Sequence, residues 1–287
     1  MAKSTFNKGL LRSIKDSLGR FLGIAVIAAL GAGFFAGLRM TGPDMRLAED
    51  QYFDQTNLFD LQVISTLGLE DEDIDVLASM SGVSAVMPSR EIDAVSLINN
   101  DQYTVCIHQL DVAAAKDSVM TEDGVESQDT GYINRPVLIE GEWPDEVGEC
   151  VIAGDVVMDA PVEIGDTVEL LETSVDADSM LEAQSFTIVG KVLSPYYVEN
   201  STLGTSTLGN GMLNQYLYVP EETFVADTPY TKAFISVEGA RELNSTSPEY
   251  EELVDSIAVR IEDLEPFMST ERLDTIKSKY QDRKSVV

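Results

Sequence analysis

The sequence predicts an α+β protein with one membrane-spanning helix near its N-terminus, followed by a strand-rich extracellular domain that carries a few helices. Three observations predict it. Residues 21–38 form an uninterrupted apolar run, five basic residues precede that run, and short strand-like patterns recur through most of the remaining chain.

The run FLGIAVIAALGAGFFAGL contains no charged or strongly polar side chain. Eighteen residues at helical rise extend about 27 Å, close to the hydrocarbon thickness of a bilayer. Arg39 can snorkel to the headgroups, which carries the span to Met40 and defines a transmembrane segment at 21–40. Gly23, Gly31, Gly33 and Gly37 leave notches of the kind through which membrane helices pack closely, so other transmembrane helices are expected as partners, including those of a second copy in a homodimer.

Before the run stand Lys3, Lys8, Arg12, Lys15 and Arg20 against Asp16 alone, whereas only Arg39 and Arg46 come closely after it. The positive-inside rule then places the N-terminus in the cytoplasm and the main domain outside the cell membrane. A cleaved signal peptide is the first competing reading, but its apolar core usually spans about 7–15 residues and ends at small side chains. Here the run is longer, and bulky Phe34 stands two residues before the best candidate site at Ala36. A buried core helix is the second, and it would be expected to show a polar stripe.

Within residues 1–20, Phe6, Leu10, Leu11, Ile14 and Leu18 recur at spacings of three and four among basic side chains. That pattern predicts a basic amphipathic helix on the cytoplasmic membrane face.

The segment 41–248 reads as the extracellular core. Thr41, Gly42, Pro43 and Asp44 predict a helix stop and restart, with a short helix over 45–53 and a first strand at 58–64. Glu70, Asp71, Glu72 and Asp73 suit the positive end of a helix whose buried stripe is Ile74, Leu77 and Ala78 and which ends at Ser81 and Gly82. Residues 91–98 and 102–109 predict a hairpin turned by Asn99, Asn100 and Asp101. Further strands are expected at 137–140, 149–153, 166–171, 185–193, 215–219 and 233–237, and two long loops at 117–130 and 198–211. Residues 249–287 carry apolar side chains at helical spacing amid dense charge and predict two helices, 249–261 and 265–280.

Composition and motifs exclude much. The net charge of −31 makes nucleic acid a poor partner. No phosphate-binding GxxxxGK[ST] loop, GxSxG elbow or CxxC pair is present. His108, the only histidine, falls in a predicted strand, where a surface or half-buried side chain is expected. Cys106 and Cys150 sit in apolar strand-like runs and read as buried free thiols, with a single disulfide as the alternative. No residue is singled out as catalytic, cofactor-binding or metal-ligating, and no cofactor is expected.

The residues Arg12-Ser13-Ile14-Lys15-Asp16-Ser17-Leu18-Gly19-Arg20 and the apolar run after them resemble the first transmembrane helix of FtsX-like and MacB-like ABC transporter permeases. Gly82-Val83-Ser84-Ala85-Val86, Gly141-Glu142-Trp143-Pro144, Gly148-Glu149-Cys150-Val151-Ile152, Ile164-Gly165-Asp166-Thr167-Val168 and Phe186-Thr187-Ile188-Val189-Gly190 come in the order of that family's outer domain. The resemblance implies a MacB periplasmic-core-like fold and a cytoplasmic ABC ATPase subunit as partner. It also implies export or mechanotransmission across the membrane rather than enzymatic chemistry. Members carry later membrane helices, so the resemblance implies a chain cut short, with 249–287 as the start of a stalk or return helix. Two alternatives stand beside it: a single-pass membrane-anchored binding or sensor protein, and an anchored enzyme, for which no motif speaks.

Overall fold

The computed structural model describes residues 18–121, 124–127, 131–154, 162–173, 180–197, 203–270, 272–274 and 277. The amphipathic segment expected within 1–20 lies almost wholly outside them, as do 198–202 of the second long loop and most of 275–287. Contacts divide the chain into two units, 1–49 and 50–287.

In the first unit, helix α1 (Leu18–Thr56) begins, and all its residues up to Glu49 are exposed. It is long and apolar enough to cross a membrane. The break expected at 41–44 is absent, because the helix passes through Pro43. Proline removes its own ladder bond and crowds the carbonyl four residues back, a local cost that the helix absorbs here. Thr41 Oγ1 donates to the Gly37 carbonyl at 2.9 Å, and Met45, Arg46, Leu47, Ala48 and Glu49 beyond the proline all favour helix.

The second unit holds two principal sheets. Strands β1 (Leu61–Leu69) and β2 (Val83–Ser89) flank β12 (Tyr230–Val237) in a three-stranded antiparallel sheet of order β1-β12-β2. Helix α2 (Asp71–Ala78) joins β1 to β2, and the Glu70 N–H donates to Asp73 Oδ2 at 2.9 Å in its first turn. Strand β1 starts three residues later than expected and runs five residues further.

The larger sheet has seven strands: β3 (Glu91–Ile98), β4 (Asp101–Leu110), β7 (Val137–Gly141), β8 (Glu149–Ala153), β9 (Thr167–Thr173), β10 (Ser185–Leu193) and β11 (Gln215–Pro220). Their order is β7-β10-β8-β11-β4-β3-β9. Because β9 pairs with both β3 and the start of β10, the sheet closes on itself. The β3–β4 hairpin forms as the sequence predicts, with Asn99 and Asn100 at φ of 53° and 69°, the left-handed pair that a two-residue hairpin turn needs.

Side-chain alternation gives this sheet two buried faces. Along β11, Leu217 and Val219 join one apolar cluster with Ile92, Ile107, Ile152 and Phe186, while Tyr216 and Tyr218 face a second with Val151, Val192 and Tyr197. A third cluster, built on Leu77, Ala233 and Ile235, lies between the small sheet and α2.

The first expected loop, 117–130, contains structure instead. After the short helix α3 (Val112–Lys116), β5 (Ser118–Thr121) and β6 (Gly124–Ser127) pair as an antiparallel ribbon. Its Asp, Glu, Ser and Gly content reads as loop, which hid the backbone pairing. Helix α4 (Pro248–Glu262) forms as expected, with Pro248 in its first turn and Ser247 Oγ accepting from the Tyr250 N–H.

Candidate functional site: a polar seam between two sheets

The seam arises from strand register. On β3 and β4, Glu91 lies opposite His108 and Asp93 opposite Cys106. On the other side of β4, Tyr218 of β11 lies opposite His108 and Tyr216 opposite Cys106. The period of two puts all six on one face of the larger sheet, with Ile92, Val105, Ile107 and Leu217 on the other. Strand β12 of the small sheet brings Thr231 and Lys232 to this face. The segment after β10 adds Ser194, Tyr196 and Tyr197.

Charges and hydroxyls there are tightly connected. Lys232 Nζ stands 2.5 Å from Glu91 Oε2 and donates to the Tyr196 hydroxyl at 2.7 Å. His108 Nε2 and the Tyr197 hydroxyl are 2.5 Å apart, and His108 Nδ1 lies 3.3 Å from Glu91 Oε1. That last approach lacks hydrogen-bond geometry, and among the described residues the buried Glu91 Oε1 has no hydrogen-bond partner. Further along, Ser194 Oγ and the Tyr218 hydroxyl are 2.6 Å apart, and the Ser194 N–H donates to the Tyr216 hydroxyl at 3.2 Å.

Aromatic rings wall the seam. The His108 ring stacks on Tyr218 at 5.0 Å, Tyr197 stacks on Tyr216 at 4.2 Å, and Lys232 Nζ lies 5.1 Å from the centre of the Tyr196 ring. A cavity of about 360 Å³ opens beside it, lined by Glu91, Asp93, Cys106, Tyr196, Tyr197 and Lys232, with Leu203, Leu213 and Thr231 among the other walls.

Burial alone would push the Glu91 carboxyl up, but His108 and Lys232 beside it outweigh burial and hold it below the usual glutamate range. Lys232 shows the mirror effect: burial lowers it, and the Glu91 carboxylate with Tyr196 more than reverses this and raises it. Burial pushes the Cys106 thiol and the Tyr197 and Tyr218 phenols up, so none of them is ready as a nucleophile or base in this state.

Arg90 clamps the same junction from its end. Its Nε donates to the Thr228 carbonyl at 2.8 Å, its Nη1 to Gln109 Oε1 at 3.0 Å, and its guanidinium lies 4.3 Å from the centre of the Tyr230 ring. The Glu91 N–H donates to Thr231 Oγ1 at 2.9 Å. A second cavity, about 340 Å³, lies where the end of α1 meets the small sheet and α4. There Asp60 accepts from the Val237 N–H at 2.7 Å and the Tyr250 hydroxyl at 2.6 Å, and Asp50 accepts from the Ser245 N–H at 2.6 Å. These carboxylates are occupied in joining elements.

The structure places His108 differently from the surface or half-buried position expected of it. It is only 3% exposed, because its strand is covered on both faces. Cys106 and Cys150 are both free and buried, on opposite faces of the larger sheet: Cys106 lines the seam, whereas Cys150 packs in the apolar cluster of the other face. Glu91, Lys232 and the tyrosines do not stand out in the sequence at all. For Glu91 alone among them the sequence offers a local signal, the alternation of polar and apolar residues in 91–98.

No protein-family model matches the sequence, and no curated protein matches it. Among solved structures, the chain is similar to the extracellular domain of the noncanonic ABC-type transporter YknZ from Gram-positive bacteria, with a TM-score of 0.34 and 14% identity over 67% of this chain and 85% of that one. It is also similar to the periplasmic region of MacB from Actinobacillus actinomycetemcomitans, with a TM-score of 0.35 and 13% identity over 76% of this chain and 84% of that one. Superpositions at these scores are loose, and the fold described above rests on its own strand order.

Proposed function

We propose that the chain is the membrane-anchored, outward-facing part of the permease subunit of an ABC-type transporter. The observation that carries this reading is α1, whose exposed apolar stretch at 21–38 comes after a basic N-terminal segment and leads in sequence into the folded acidic domain. Residues 1–20 then lie on the cytoplasmic face against an ATPase subunit, and 21–40 cross the cell membrane beside partner helices through the glycine notches. Residues 41–248 form the extracellular core, and 249–287 begin a stalk or return helix. The protein works by moving and binding rather than by bond chemistry, in keeping with the elevated thiol and phenols of the seam. The sequence resemblance to FtsX-like and MacB-like permeases supports the ATPase as the motor.

The test is affinity purification, from native membranes, of the full reading frame that contains this segment. Stoichiometric recovery of an ABC ATPase, lost when residues 1–20 are deleted, is the expected result. Recovery of the intact membrane protein without any ATPase would leave only the reading as an anchored binding protein.

A further inference from the structure

We propose that Glu91, Cys106 and His108 form a site for a single transition-metal cation of borderline softness, with Zn²⁺ as the best match. The three donors, a carboxylate oxygen, a thiol sulfur and a ring nitrogen, all lie within 4.8 Å of one another, which is the clustering one metal ion requires. Adjacent β-strands place them there by register, without help from any loop: Cys106 and His108 are two apart on β4, and Glu91 faces His108 from β3.

The second, independent observation is Glu91 Oε1. Its side chain is 7% exposed, and among the described residues this oxygen has no hydrogen-bond partner, although it lies 3.3 Å from His108 Nδ1. A buried carboxylate oxygen without a hydrogen bond is costly even beside a ring nitrogen. A metal resolves it: ligand bonds of about 2.0–2.1 Å at the tetrahedral angle separate an oxygen and a nitrogen donor by about 3.3–3.4 Å, so the two atoms already stand on one edge of a zinc tetrahedron.

The surroundings act on each donor. Lys232 occupies Glu91 Oε2 and leaves Oε1 as the single free oxygen, which makes the carboxylate a one-oxygen ligand. The Tyr197 hydroxyl holds His108 Nε2, which frees Nδ1 to face the metal. Orientation of ligands through such outer partners is a regular feature of metal sites. On binding, the Cys106 S–H proton leaves to solvent and the thiolate takes its place as ligand. Asp93, beside Cys106 and on the cavity wall, adds negative charge to a site that also faces the Lys232 ammonium. The cavity reaches Glu91 and Cys106, giving the ion an entry route and a fourth position for water or a small ligand.

Cobalt(II) and zinc titrations of the full chain in detergent test the site independently of the transporter reading. One Co²⁺ per chain with a thiolate-to-cobalt charge-transfer band is expected, displaced by one equivalent of Zn²⁺. Cys106→Ser removes the band, Cys150→Ser keeps it, and Tyr197→Phe weakens affinity by about 10- to 100-fold. X-ray absorption of the unaltered zinc-loaded chain needs no variant to fold: one sulfur at about 2.3 Å with nitrogen and oxygen at about 2.0–2.2 Å is expected. A shell without sulfur, or a band that survives Cys106→Ser and vanishes in Cys150→Ser, would overturn the proposal.

Discussion

The Lys232 ammonium, on the middle strand of the small sheet, stands 2.5 Å from Glu91 Oε2 at the start of β3, so one ion pair ties the two sheets together. Its partners are 17% and 7% exposed. At that burial, removing one charge leaves the other stranded in a poorly solvated place, which costs about 3–5 kcal/mol. Lys232→Met is therefore expected to destabilise the domain by that order. The double variant Glu91→Gln with Lys232→Met should recover most of the loss, since no charge is then left alone. Urea unfolding of the three proteins measures both effects.

The same pair sets a pH window. Glu91 is lower in the folded state than in the unfolded chain, so its contribution is present above the ordinary glutamate value and is lost as pH falls through the folded value. Lys232 is higher when folded, so its contribution holds below the ordinary lysine value and is lost as pH rises through the folded one. The stability advantage of the wild type over the double variant should be broad around neutral pH and shrink at both extremes. Unfolding midpoints across the pH range check it.

Gly141 ends β7 at φ of +81°, and a Cβ there would lie 2.3 Å from the Val189 carbonyl oxygen on the paired strand. Left-handed backbone costs an alanine about 1–2 kcal/mol before any clash. Gly141→Ala is expected to lose more than that, whereas Gly165→Ala, with open space around it at φ of +100°, should lose only the backbone part. Thermal melts of the two variants separate clash from conformation.

Both thiols are buried, Cys150 fully so and Cys106 at 4% exposure. An aromatic disulfide reagent should find almost no reactive sulfur in the native chain and two in denaturant. Rapid native labelling of either would contradict the burial.

The outline of the fold is legible in the sequence where local patterns decide it. The apolar run, the Asn99-Asn100 turn and the helical spacing of apolar residues from 249 onward each carry their own signal within a few residues. Pro43 misleads because the lost bond and the crowding of the preceding turn are local costs, which need not end a helix when good helix formers come after it. The ribbon at β5 and β6 escapes because two four-residue strands are too short to show a period of two, and Asp, Glu, Ser and Gly around them read as loop. The seam is illegible for a different reason. Glu91, His108, Tyr197 and Lys232 lie far apart in sequence and meet only through strand register and sheet packing, so none looks unusual alone. His108 reads as an ordinary strand residue because burial on both faces of β4 depends on β11 and β12, more than one hundred residues away.

The orientation of the chain across the membrane is open to cysteine labelling of protoplasts that express the full reading frame, with a membrane-impermeant maleimide. The native thiols are buried and give little background. Thr207→Cys, on an exposed turn of the folded domain, is expected to label in intact protoplasts, and Ser4→Cys only after permeabilisation. Labelling of Ser4→Cys in intact protoplasts with Thr207→Cys protected, or release of the domain from membranes by alkaline carbonate, would contradict an anchored, outward-facing domain.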